Sequence, residues 1–171
     1  MGIVDDLGLR VPRDSVLTRP VRLAASTSLG ARAFAPVIPT VDRAVVRLSG
    51  GRTTGTEWLA GLPTLHLTTT GARTGARRTV PLVGIVVGPD VAVIGSNWGR
   101  PRHPGWVHNL AADPRATVSR RGRAVDVHAR EASGEEAEGI WQVGRSIYRG
   151  FRTYPTRTGG RSIRVFVLEP R

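Results

Sequence analysis

Glycine, threonine and arginine are concentrated in one short stretch, Gly71-Ala72-Arg73-Thr74-Gly75, which Arg77 and Arg78 follow closely. A glycine loop exposes backbone amide hydrogens, and each guanidinium group presents a fixed fork of donors. Donors of both kinds suit a phosphate group. On spacing alone, a tight hairpin whose charged side chains merely face water also fits, because G-x-x-x-G is common in loops.

A second unusual stretch runs from Ser96 to Arg100 and continues from His103 to Leu110. A helix that begins after a glycine-containing loop is a further anion site, and Trp98 and Trp106 are suited to flank a planar ring. Trp106 and Leu110 lie four residues apart, which also fits the buried face of a helix.

Conventional catalytic motifs are absent from the sequence. It contains no Gly-x-Ser-x-Gly elbow, no paired-carboxylate motif and no phosphate-binding P-loop. His103 and His108 lie five residues apart without an accompanying carboxylate motif, so no metal site is expected. A bound cofactor is therefore predicted to carry the chemistry.

The charge balance predicts an anionic partner. All 25 basic residues are arginine, against 13 acidic residues, which gives a net charge of +12. Nucleic acid, a membrane surface and a small molecule with phosphate and carboxylate groups all fit this charge. Nucleic acid is not expected, because the nine aromatic residues follow no known nucleic-acid-binding pattern. A small-molecule substrate is expected instead.

Cysteine is absent, which excludes disulfides, cysteine–zinc sites and iron–sulfur clusters. The longest stretch without Asp, Glu or Arg is Trp58–Ala72, which is too short for a membrane-spanning helix. Asp5 and Asp6 argue against a signal peptide, and a cytoplasmic location is expected.

The N-terminal third has weak patterning. Residues 1–14 are predicted to form a loose arm, and residues 15–35 one or two weak helices. Thr40 is a predicted N-cap, and the helix after it carries apolar residues at helical spacing: Val41, Ala44, Val45 and Leu48.

Strand patterns dominate after Pro63. Strands are predicted over 64–70, 77–87, 91–95, 116–119, 124–130 and 161–168, and helices over 104–112 and 133–148. About six strands with a short inserted helix indicate an α+β protein with a mostly antiparallel, barrel-like sheet. The predicted division is an N-terminal arm with weak helices over 1–59 and a barrel domain over 60–171.

The run Leu67–Gly75, with Arg78 and Pro81-Leu82, resembles the deazaflavin-dependent nitroreductase family. Ser96, Gly99, the block His103–Leu110 and Asp113-Pro114 continue the resemblance, which covers roughly residues 60–170. Because two motifs occur in order, the resemblance is more specific than either motif alone.

This resemblance implies a split β-barrel of the FMN-binding type and the cofactor coenzyme F420, a deazaflavin with a phosphate and an oligoglutamate tail. Members of the family reduce nitro compounds, quinones or activated double bonds by hydride transfer. By position in the motifs, Arg73, Thr74 and Arg78 would hold the phosphate and the tail. The residues that would line or close over the ring are Thr79, Val80, Pro81, Leu82, Val83, Ile94, Gly95, Ser96, Asn97, Gly105, Trp106, Val107, His108 and Asn109.

Two positions depart from the family pattern. Asn97 stands where the family often has lysine, so one phosphate contact would be weakened or taken over by Arg100 or Arg102. Phe151 stands at the position of a substrate-side tyrosine and has no proton to donate. Tyr148 and Tyr154 are therefore the candidate catalytic residues, although both also fit a packing role.

Several alternatives stay open at this point. An FMN-binding split-barrel reductase would use a similar ring-and-phosphate site, and a basic module without catalysis would also bind an anion. Peripheral contact of the N-terminal segment with a membrane and a homodimer are both compatible with the sequence.

Overall fold

The computed structural model describes residues 2–9, 40–41, 44–45, 48 and 62–171. The α-helices whose bounds are described are α1 (Ile3–Asp6), α2 (Gly105–Ala112), α3 (Gly134–Ile147) and α4 (Gly150–Thr153). The strands are β1 (Thr64–Thr70), β2 (Arg77–Val83), β3 (Ile85–Val87), β4 (Asp90–Ile94), β5 (Arg115–Arg120), β6 (Arg123–Ala132) and β7 (Val165–Pro170). Short 3₁₀ turns occupy Asn97–Gly99 and Pro155–Arg157.

The strands form one antiparallel sheet in the order β2-β1-β5-β6-β7-β4-β3. The two strands at the ends of this order, β2 and β3, are consecutive in the chain and separated only by Gly84. One segment, residues 77–87, therefore pairs with β1 at its beginning and with β4 at its end. This closes the sheet into a barrel of six members, as the sequence predicts.

Gly84 makes this crossing of the barrel wall compact. A Cβ atom at Gly84 would lie 2.8 Å from Cδ2 of Leu65 and 3.2 Å from Cγ1 of Val91. The side chains of Leu65 and Val91, from the two strands that the segment joins, thus meet over the bare backbone. Glycine is typical where strands bend and neighbouring groups approach closely.

The barrel interior is filled by alternate residues of the strands, as the two-residue period of a strand requires. Leu65 and Leu67 of β1 and Val91 and Val93 of β4 are fully buried there, and Trp106 of α2 caps the interior near Phe166. The ring centroids of Trp106 and Phe166 lie 5.8 Å apart at 67°.

A second apolar cluster lies on the opposite face of β4 and β7, under α3 and α4. Ile94 of β4 and Val167 of β7 contribute to it from the sheet, and Ile140 and Trp141 from α3. Gly144 lets α3 approach closely, since a Cβ atom there would lie 3.1 Å from Cδ1 of Ile94 and of Ile85. The two clusters thus cover opposite faces of the same strands.

Residues 2–9 are not the loose arm predicted from the sequence. The side chains of Ile3, Leu7 and Leu9 are buried in the barrel cluster. Arg120 of β5 fixes the segment by donating from Nη1 to the carbonyl oxygens of Leu7, at 3.1 Å, and Gly8, at 2.9 Å. Four apolar residues in eight, namely Ile3, Val4, Leu7 and Leu9, were too few to establish a helical period, so only the tertiary structure reveals this packing.

The remaining element predictions differ in their outcomes. β1 has the predicted bounds, and the predicted strand 77–87 is divided at Gly84. The last strand begins at Val165 rather than Arg161. Thr40, Val41, Ala44, Val45 and Leu48 are helical, and the weak helices predicted over 15–35 lie outside the described residues.

Candidate functional site

The glycine loop between β1 and β2 is closed by its own backbone. Gly75 N donates to Gly71 O at 2.8 Å, and Gly71 N donates to Ala76 O at 2.8 Å. Gly75 has a φ of +65°, a conformation that costs glycine little. This geometry exposes the side chains of Arg73 and Thr74, as the first motif predicts.

Asn109 of α2 anchors this loop to the helix. Its Oδ1 accepts a hydrogen bond from Ala72 N at 3.0 Å, and its Nδ2 donates to the buried Thr69 Oγ1 at 2.9 Å. One side chain thus fixes the loop and the end of β1 together. The two sequence motifs meet at this residue.

The segment after β4 has an unusual backbone. Asn97, Trp98 and Gly99 have φ values of 47°, 59° and 76°, three consecutive residues in the left-handed region. Such conformations cost free energy for residues other than glycine and persist where surrounding contacts enforce them. One of these contacts is the hydrogen bond of 2.9 Å from Asn97 Nδ2 to Arg102 O.

Arg161, which lies outside this segment, also bonds several of its carbonyl groups. Its guanidinium donates to Gly95 O at 3.2 Å, to Ser96 O at 2.9 Å and, through two nitrogens, to Arg100 O at 3.2 and 2.9 Å. It also lies 3.3 Å from Nδ1 of His103. Burial lowers the pKa of Arg161 from its ordinary value. The sequence motifs did not single out this residue, because its partners lie some sixty positions away.

His103 lies between this segment and α2. The pKa of its imidazole is lowered from the ordinary value of 6.5, first by burial and then by the positive charge of Arg161. Its ring centroid lies 5.7 Å from that of His108, edge to face. Among the described residues, no three metal-ligating side chains cluster together.

Helix α2 brings the two motif segments together. At its C-terminal half Asn109 holds the glycine loop, and at its N-terminal half Val107 packs on Gly95 at the end of β4. A Cβ atom at Gly95 would lie 2.8 Å from Cγ2 of Val107, so only glycine allows this approach. The helix has no side-chain N-cap at Pro104 and no acidic residue in its first turn. Its positive dipole end therefore favours an anion.

The predicted ring-lining residues divide between two faces of the sheet. Val80 and Leu82 pack against the barrel interior, whereas Thr79 is exposed on the opposite face and its hydroxyl lies 2.8 Å from that of Thr68. Ile94 is buried under α3 in the second cluster. Consecutive strand residues point to opposite faces, so their side chains cannot all line one ring, and some could contact it only through backbone atoms.

The arginines of the loop differ in their surroundings. Arg77 donates from Nη2 to Thr117 Oγ1 at 2.9 Å, and Thr117 donates to Asp126 at 2.9 Å. Arg73 and Arg78 are exposed beside the loop. These two side chains are better placed to meet an anion than Arg77, which is used within the sheet.

Tyr148 and Tyr154 lie in the second cluster, both nearly fully buried. The hydroxyl of Tyr154 donates to that of Tyr148 at 3.2 Å, and burial raises the pKa of both phenols. Phe151 lies between them and Trp141, with ring centroids 5.6 to 5.9 Å away. Both candidate donors therefore belong to an aromatic core rather than to the exposed loop region.

The closed antiparallel barrel and the donor-rich loops around α2 define a cofactor-binding split-barrel protein. The sequence model of the F420H(2)-dependent quinone reductase family matches residues 40–170. The chain belongs to this family. An F420H(2)-dependent quinone reductase of Mycobacterium tuberculosis (strain H37Rv) is 34% identical over 112 residues, which cover 64% of this chain and 74% of that protein.

Solved structures agree with this assignment. An F420-H2-dependent reductase structure (FDR-A) is 37% identical, with a TM-score of 0.57 over 63% of this chain and 94% of that chain. A structure described as a domain-swapped dimer is 34% identical, with a TM-score of 0.60 over 76% and 97%. The fold is a split barrel, and the protein is an F420-dependent oxidoreductase whose cofactor is coenzyme F420. FMN, the alternative from the sequence, gains no support from these matches.

The donor set of this chain fits such a cofactor. Exposed guanidinium groups at Arg73 and Arg78 and the uncapped start of α2 all favour negative charge. Gly105 opens the helix, and a Cβ atom there would contact no other atom within 4 Å, so the backbone is accessible. Within the described ranges, no helix is long and apolar enough to cross a bilayer.

Proposed function

We propose that this chain transfers a hydride between coenzyme F420 and a small organic acceptor, and that quinones are the preferred acceptors over nitro compounds and other activated double bonds. The observation that carries the proposal is the junction at α2. There Asn109 and Val107 join two segments that each bear half of the family motif. Groups that can donate hydrogen bonds to an anion lie on both sides of this junction.

The cofactor's phosphate and tail are assigned to Arg73, Thr74 and Arg78. Support comes from the exposure of these side chains on a loop whose backbone is held rigid by its own hydrogen bonds. A preorganised loop binds with a smaller loss of conformational entropy than a mobile one. Charged hydrogen bonds to phosphate are also stronger than neutral ones.

The ring is assigned to the surface between β2, the end of β4 and the start of α2. This surface includes residues 79–83, 94–97 and 105–109, with backbone atoms contributing where side chains point into the core. When bound, the reduced deazaflavin supplies the hydride. Gly105 keeps the polypeptide thin beside the ring, because its Cβ position is open.

The acceptor's second hydrogen is assigned to solvent rather than to a tyrosine. The hydroxyls of Tyr148 and Tyr154 bond each other inside the second cluster, and burial raises the pKa of both. A reduced quinone anion is stable enough to collect its proton from water, whereas nitro reduction depends more on a donor. This difference supports quinones as the preferred class.

Anaerobic titration tests the proposal directly. The protein is titrated with F420 and, as a control, with FMN, and the reduced complex is then offered quinones, nitroaromatics and enones. Tight binding of F420 and fastest oxidation by quinones are expected. Failure to bind F420 would contradict the cofactor assignment, and faster turnover of the nitroaromatics or enones than of the quinones would contradict the preference for quinones.

A homodimer is a separate proposal. It is supported by the similarity to a chain whose solved structure is described as a domain-swapped dimer. Light scattering on the purified protein with and without F420 tests it, and a monomeric mass at all concentrations would contradict it.

A further inference from the structure

We propose that Arg161 is a positioning residue that holds the segment 95–103 in its cofactor-receptive shape and fixes His103 with its proton on Nε2. The inference deepens the proposed function and rests on it only for the cofactor-binding measurement described below. Its basis is the convergence of Gly95 O, Ser96 O, Arg100 O and His103 Nδ1 on one guanidinium.

The geometry requires the planar fork of arginine. Three carbonyl oxygens, from the neighbouring residues Gly95 and Ser96 and from Arg100, accept from one side chain, and Arg100 O accepts from two of its nitrogens. Carbonyl dipoles converging on one point repel each other unless a cation lies between them. A lysine ammonium has three donors on a flexible stem and cannot reproduce this planar arrangement.

The contacts also explain how the strained backbone persists. Asn97, Trp98 and Gly99 lie between Ser96 and Arg100, whose carbonyls Arg161 holds on either side. With both flanks fixed, the chain has to complete the turn within three residues. The left-handed conformations follow from this restraint, and without it the segment is free to relax toward ordinary backbone angles.

His103 receives its tautomer from the same contact. A guanidinium has only donors, so the nitrogen that faces it, Nδ1, must act as an acceptor and Nε2 carries the proton. The charged groups that face His103 are Arg161, His108, Arg164 and Glu131, and only Glu131 favours protonation. Arg161 thereby keeps an orientated, neutral imidazole beside the start of α2.

The first test needs no cofactor. Nitrogen NMR of the imidazole in the unaltered protein is expected to show His103 as the Nε2–H tautomer. In Arg161→Gln the imidazole pKa is expected to rise toward its ordinary value and the tautomers to mix. A Nδ1–H tautomer in the unaltered protein, or an unchanged tautomer and pKa in the variant, would overturn the proposal.

The second test measures F420 affinity with matched variants. Arg161→Gln and Arg161→Lys are expected to raise the dissociation constant by about tenfold or more, since a charged, multiply bonded contact is lost. The control is Arg145→Gln, because Arg145 pairs with Glu138 on the exposed side of α3. Its affinity is expected to change less than about twofold.

Two further outcomes keep this test decisive. Full affinity in Arg161→Lys would show that charge alone suffices and would contradict the positioning role. Partial recovery of affinity in Arg161→Gly on adding free guanidinium would support it. If the unaltered protein binds no F420, the cofactor assignment fails, while the imidazole measurement still decides the role of Arg161.

Discussion

Two loops meet at α2, and they are held in opposite ways. The loop from Gly71 to Gly75 closes on itself with short-range backbone hydrogen bonds, and Asn109 ties it to α2. The segment from Ser96 to His103 has three consecutive left-handed residues and is held by a side chain some sixty positions away. The first loop is locally encoded, whereas the second depends on the finished fold.

This difference suggests that the first loop binds the anionic tail, whereas the second segment forms the surface for the ring. A self-contained loop presents its arginines even before the ring surface is complete, which suits the capture of an anionic tail. The second segment acquires its shape only when Arg161, which follows α3 and α4 in the chain, packs against it. Variants in the two loops should therefore have different effects on affinity and on stability.

The largest effect on stability is expected for Gly99→Ala in the second segment. The φ of 76° is costly for alanine, and its Cβ would lie 3.0 Å from Cβ of Arg157 and 3.1 Å from Tyr154 O. Together these penalties are expected to lower the free energy of unfolding by about 3 kcal/mol. Urea unfolding followed by tryptophan fluorescence measures the loss of stability. A smaller loss than in Gly75→Ala of the first loop would contradict the difference between the two loops.

The next effect concerns affinity rather than stability. Arg73→Ala and Arg78→Ala are each expected to weaken F420 binding by roughly 1.5–3 kcal/mol, because a charged hydrogen bond is lost. Their melting temperatures should stay near that of the unaltered protein, since both side chains are exposed. Binding should also weaken as salt is raised. Unchanged affinity in both variants would remove the phosphate and tail assignment.

Asn109→Ala tests the tie between the first loop and α2. It removes both hydrogen bonds and leaves the buried Thr69 hydroxyl without this donor, so a loss of about 1–3 kcal/mol in unfolding free energy is expected. Asn109→Asp is the matched control, because a carboxylate still accepts from Ala72 N and from the Thr69 hydroxyl. Equal losses in the two variants would show that these bonds do not hold the loop.

Gly75→Ala is the counterpart of the Gly99 variant in the first loop. The φ of +65° is again unfavourable for alanine, but its Cβ would meet no atom within 4 Å. Only the backbone penalty of about 1–2 kcal/mol therefore remains. Chemical unfolding of both glycine variants under the same conditions gives the difference, which isolates the crowding at Gly99.

The smallest effect is a pH dependence from His103. Because its pKa is lowered in the folded protein, the unfolded chain binds more protons below about pH 6.5, and the stability supplied by the neutral imidazole is lost as the pH falls. Glu131, whose pKa is also lowered by Arg164, adds a similar loss at more acidic pH. His103→Gln should flatten the dependence in the higher window only. An identical profile in that variant would contradict the assignment.

The features that the sequence predicts are the locally encoded ones, whereas those that depend on distant contacts were missed. The bounds of β1 and the buried Leu110 follow from local patterns, and the structure confirms them. Trp106, which the family motif assigns to the ring, is instead buried against Phe166. The family resemblance supplied the cofactor and the barrel. In contrast, Ile3 and Arg161 act through partners distant in sequence, and no periodicity marks such contacts.

The two motifs of the candidate site could be located in the sequence, but the arrangement of their side chains could not. Spacing located the two motifs, while the face on which each residue of β2 and β4 lies depended on register. Tyr148 and Tyr154 remain candidate donors by sequence, but their mutual hydrogen bond inside an aromatic core arises from the packing of α3 and α4. Sequence position could not distinguish a buried phenol from an accessible one.

The continuity of β2 and β3 across Gly84 also governs how the barrel comes together. Residues 64–94 form one meander with two open borders, and β5 to β7 form another. Neither meander can satisfy its border hydrogen bonds until β1 meets β5 and β4 meets β7. Removing β7 would therefore reopen borders on β4 and β6 at once and expose a template for intermolecular pairing. The six residues of this strand thus protect the whole barrel from aggregation.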